Sequence, residues 1–155
     1  MTKFLLSVHV LAAIIAVGPV TVAASMFPAV ARRAIAEPDA SEHITTLRTL
    51  HRICRVYALI GLAVPVFGLA TGLSMGVLSD AWLTVSIGLT AAAAGILALL
   101  VLPDQAKILA DLTTPAPVLD AKSRATLAMF TGVFNLLWAV VTVLMIIRPG
   151  STTGA

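Results

Sequence analysis

Three histidines, one cysteine and five methionines are the side chains of this chain that could hold a metal or a haem. His9 stands apart from the rest. It lies inside an apolar run, FLLSVHVLAAIIAVGPVTVAASMFP, from Phe4 to Pro28. An ionisable group at membrane depth is costly, which makes it a functional-site hypothesis by default. Three chemistries suit it. A neutral imidazole can hydrogen-bond a Ser, a Thr or a carbonyl across a helix bundle. It can serve as the axial ligand of a b-type haem, with a Met as a second ligand. Or His9 can join Met75 and Met145 in a soft site for Cu(I), for which imidazole and thioether are suited.

The other reactive residues argue for less. His43 and His51 are eight apart, about 12 Å on a helix, too far to share one metal. They also fall at the opposite membrane face from His9, so a bis-histidine haem is not expected. Cys54 has no second cysteine to pair with. No buried acid or base accompanies His9 to complete a proton relay. The chain has no CxxC, nucleophile elbow, kinase or nucleotide signature. Glu37, Asp39, Glu42, Asp104, Asp111 and Asp120 read as loop carboxylates rather than a paired acid and base.

The elements that must position these groups are membrane helices. The chain has 155 residues, 59% hydrophobic and 11% charged. Soluble domains are about 45–50% apolar and about 25% charged. The length suits one bundle with no separate soluble domain. Four stretches can cross a bilayer: about 4–28, 54–78, 82–102 and 125–147, each near the roughly 20 apolar residues required. Alternating ten-residue segments, the mark of a strand barrel, are missing. The expectation is an all-α, antiparallel, up-down four-helix transmembrane bundle.

Charge sets its orientation. The loop after the first span holds Arg32, Arg33, Arg48, Arg52 and Arg55, and the loop after the third holds Lys107, Lys122 and Arg124. Only Lys3 and Arg148 lie elsewhere among the ten Lys and Arg. By the positive-inside rule both loops are cytoplasmic and both termini face out. The net charge of +3 is therefore a membrane signal, not a nucleic-acid footprint. The first 25 residues resemble a secretion signal, but cleavage would leave five arginines outside, so they read as a span.

Within that frame each span carries a pattern. Ala12, Ala13, Ala16, Ala23 and Ala24 lie within about 60° of His9, so His9 faces the bundle, near its outer end. Gly18-Pro19 predicts a kink and a freed carbonyl at Ile15. Ser41 reads as a helix N-cap. After it, Arg48, Arg52 and Arg55 form one basic stripe suited to anionic lipid headgroups. Gly68, Gly72 and Gly76 repeat at four-residue spacing, a packing groove. The link 79–81 predicts a tight antiparallel pair of the second and third spans. TAAAAG at 90–95 reads as another close-packing surface. Pro115 and Pro117 end the second loop's helical start. Thr131, Asn135, Trp138 and Thr142 share a face of the fourth span, with Asn135 placed to bond the first.

The opening KFLLSVHVLAAIIAVGP and the Arg-rich loop resemble a group of bacterial four-helix integral membrane proteins of unknown function. That group is distantly similar to the copper-resistance CopD proteins and the haem-binding membrane oxidase HemJ. The resemblance covers about half of the chain. It implies that His9 is the first-helix histidine such families use for haem or metal. The chain differs in having no second histidine at that depth. The expectation is a multi-pass protein of the bacterial cell membrane. Its role is that of an accessory or structural subunit, in a homo- or hetero-oligomer. The alternative is a b-type haem or copper redox protein using His9.

Overall fold

The structure is a computed structural model, and it describes residues 1–37, 41–114 and 121–150. Among these the chain is all helix: α1 (Thr2–Ala36), α2 (Ser41–Ile60), α3 (Ala63–Met75), α4 (Ala81–Ile96), a π-helical turn (Leu97–Val101), α5 (Leu102–Leu112) and α6 (Ala121–Ile147). They make four membrane-length units: Thr2–Ala36, Ser41–Met75, Ala81–Leu112 and Lys122–Ile147. All four are long and apolar enough to cross a membrane. Four antiparallel units bring Thr2 and Ile147 to one end of the bundle.

The units are longer than the apolar runs that seed them. α1 continues through both Pro19 and Pro28 for 35 residues. That is about 52 Å at 1.5 Å per residue, against about 30 Å of hydrocarbon. The surplus lies at the Arg-rich end. There Ala31, Ala34, Leu47, Leu50 and Ile108 continue the main core beyond the apolar runs. A second, smaller core of Val77, Trp82 and Leu83 closes the other end. Ser41 is the first helical residue of α2 rather than its cap. Pro115 and Pro117 lie outside the described residues.

Two interruptions have local causes. Gly61 and Leu62 separate α2 from α3, and the Leu62 N–H turns to the Leu59 carbonyl at 3.1 Å. Pro65, just beyond, supplies no donor for the carbonyl of Gly61, which accepts instead from Val64 N–H at 3.1 Å. In the third unit Pro103 likewise withdraws a donor, and the Leu102 N–H reaches five residues back to the Leu97 carbonyl.

The pairing of the units departs from the expected order. α1 packs along α2 and α3, and α4 packs along α6, whereas the second and third units meet only at their two ends, α3 with α4 beside the short link and α2 with α5 at the other. The small face of α3 is taken by α1 instead. Thr2 is hydrogen-bonded to Ser74 at 2.7 Å, His9 lies on Gly68, and Ala16 faces Gly61. A three-residue link makes two helices neighbours at one end and does not oblige them to pack along their length.

Candidate functional site

His9 is half-buried between α1 and α3. Its Nδ1–H donates to the Val64 carbonyl at 2.9 Å. The ring abuts Gly68, where an added Cβ would sit 2.9 Å from His9 Cε1. Gly68 thus has a specific use. Only a residue without a side chain leaves room for the imidazole and for the approach to the carbonyl one turn back. When the ring is neutral, donation from Nδ1 leaves the lone pair at Nε2. His9 therefore faces the bundle, as its alanine-rich face requires.

Met75 and Met145 both pack against Val77, Trp82 and Leu83, one level away toward the 79–81 link. Trp82 is the centre of this cap. Its Nε1–H donates to Asp80 Oδ2 at 3.0 Å, and Arg148 lies 5.7 Å over its ring. His9 sits opposite Gly68, seven residues before Met75, or about 10 Å along the axis. The three soft ligands thus belong to two levels of the bundle. The glycines of α3 also divide. Gly72 is closed by Leu83 and Leu78. Gly76 is not a packing residue. It ends α3 with φ +69°, the left-handed capping conformation, and no atom lies within 4 Å of where its Cβ would be.

At the other end a polar network joins the second and third units. His51 Nδ1–H donates to Gln105 Oε1 at 3.0 Å, and Gln105 Nε2–H donates to Cys54 Sγ at 3.6 Å. Gln105 and Cys54 are fully buried. The π-helical turn and Pro103 just before Gln105 set the register that brings it inward. His43 is paired with Glu37 at 3.3 Å. Arg48, Arg52 and Arg55 are all exposed along one face of α2, where headgroups or water can reach them. Among the described residues no three His, Cys, Asp or Glu side chains cluster to hold a metal.

The polar face of α6 meets α1. Asn135 Nδ2–H donates to Ser25 Oγ at 3.0 Å. The expected bridge between the first and last helices exists, but at Ser25, ten residues past the Ile15 carbonyl. Thr142 turns to its own helix and donates to the Trp138 carbonyl at 2.8 Å. On α4 the small residues turn outward. Gly88, Ala91 and Ala92 are exposed, and a Cβ at Gly88 or Gly95 meets nothing within 4 Å. Of TAAAAG only Ala93 is buried.

Sequence reasoning singled out His9, the α6 stripe and the α3 glycines. It passed over Gln105, a polar residue in a loop-like stretch, and Ser25, a small residue among alanines. For Ser25 no sequence signal existed. Comparison with protein-family models, curated proteins and solved structures finds no match.

Proposed function

We propose that this chain is a multi-pass protein of the bacterial cell membrane, with both termini outside, acting as an accessory or structural subunit of a membrane assembly. One observation carries the reading: the outward small-residue face of α4, Gly88, Ala91, Ala92 and Gly95. In lipid, water does not drive helices together, so close backbone approach does, and small residues permit it. A helix that meets only lipid gains by presenting large side chains. This one presents its backbone. The occupant is a further transmembrane helix, from a second copy or another subunit. The Arg48, Arg52 and Arg55 face contacts anionic headgroups, worth about 1 kcal/mol per residue.

The test is the size of the species extracted in mild detergent. Gly88→Leu with Gly95→Leu is expected to leave the helix content unchanged and to reduce the assembly to a single chain. An assembly of undiminished size in that double variant would overturn the reading.

A second reading is favoured by the His9 hydrogen bond. Metal-ligating imidazoles almost always donate their other N–H to a carbonyl or carboxylate. His9 does so to Val64 and keeps Nε2 as a ligand atom. This supports a b-type haem with His9 as axial ligand. It supports a copper site less, because joining His9 to Met75 and Met145 needs a slide of about two helical turns. A Soret band in the purified protein that disappears in His9→Ala is expected for haem. No band after expression with ample haem would sink it.

A further inference from the structure

Four buried side-chain atoms among the described residues have no hydrogen-bond partner: Arg124 Nε, Thr131 Oγ1, Asn135 Oδ1 and Trp138 Nε1. All four belong to α6. At 100° per residue they lie within about 60° of one line along it. Thr131 is 3% exposed, so its hydroxyl has no bulk water to turn to. Buried polar groups in native proteins nearly always have a partner, in protein or in ordered water. In the hydrocarbon layer that demand is stronger still. Four orphans scattered over the bundle would be four separate accidents of packing. Four on one line, with Asn135 also reaching Ser25 of α1, define one seam along α6.

We infer that this seam is an internal hydration site, a file of held water molecules bonded to Arg124, Thr131, Asn135 and Trp138. The donor and acceptor inventory selects water. Arg124 Nε and Trp138 Nε1 only donate, Asn135 Oδ1 only accepts, and the Thr131 hydroxyl does both. An anion would serve the two donors and be repelled by the amide oxygen. A cation would do the reverse. A neutral molecule that donates and accepts serves all four. Reversing the Asn135 amide would place its NH2 in the seam instead, which water serves equally.

The spacing fits as well. Steps of seven, four and three residues are about 10, 6 and 4.5 Å along the helix. These are too long for direct bonds and are bridged by one to three waters. Pro28 adds an acceptor nearby, since it withdraws the helical donor of the Ala24 carbonyl, one residue from Ser25.

Fluorine NMR of the whole chain labelled with 5-fluorotryptophan tests this without a variant that endangers the fold. Trp82 and Trp138 give two resonances, assigned by Trp138→Phe. The expected result is a solvent isotope shift at Trp138 between H2O and D2O, lost or reduced in Thr131→Val. Thr131→Val is also expected to lower the melting temperature, because it strands the waters bound to its neighbours. A Trp138 resonance indifferent to D2O would overturn the proposal. So would a rise in melting temperature in Thr131→Val, which is the signature of removing a dry hydroxyl.

Discussion

His9 and Gly68 act as one unit. The glycine supplies the space and the histidine closes it with a bond to Val64. Gly68→Ala would force a methyl against Cε1, and overpacking of this kind costs about 1–3 kcal/mol. Thermal unfolding in detergent is expected to show that loss. In a His9→Ala background the same substitution should be nearly harmless, because the ring it strikes is gone. Equal losses in both backgrounds would separate the two residues. Gln105 is the second such case. Gln105→Leu keeps the volume but removes the acceptor of His51 and the donor to Cys54. The expected loss is about 1–3 kcal/mol by the same measurement. His9 could be read from the sequence because an ionisable residue in an apolar run is conspicuous. Gln105 could not, because its burial depends on the helical register after a π-turn.

At the scale of elements, apolar length located all four crossings, and the limits of that signal are equally physical. Hydropathy marks where lipid is, not where a helix stops. α1 therefore runs eight residues beyond Pro28. The four-residue glycine repeat of α3 was visible, but not its division of labour. Gly68 admits His9, Gly72 admits leucines, and Gly76 turns the chain. A β-branched side chain in the left-handed region costs at least about 1–2 kcal/mol, so Gly76→Val should destabilise. Gly132 on α6 is exposed, with nothing within 4 Å of an added Cβ. Gly132→Ala should therefore stabilise by about 0.4–1 kcal/mol, through lost freedom of the unfolded chain. Opposite signs for these two glycines in one unfolding assay check the assignment. Which helices pair along their length was the least legible feature. A short link is a local fact, whereas the α1·α3 and α4·α6 pairings depend on which faces are small on all four units.

The whole molecule is a bundle longer than the membrane is thick. Its principal core lies toward the Arg-rich end, and its other end is closed by the smaller Trp82 cap. Eight of the ten Lys and Arg side chains fall in the two loop regions at one end, the signature of the cytoplasmic side. In the proposed orientation His9, Trp82 and the link 79–81 lie toward the outer face, and His51, Gln105, the basic stripe and Arg124 toward the inner one. Single-cysteine labelling tests it most directly, in a Cys54→Ser chain within intact cells, with a maleimide that cannot cross the membrane. Ser79→Cys and Thr49→Cys both sit at exposed positions. The account predicts labelling at 79 in intact cells and at 49 only after the membrane is opened. Labelling at 49 with protection at 79 would contradict it.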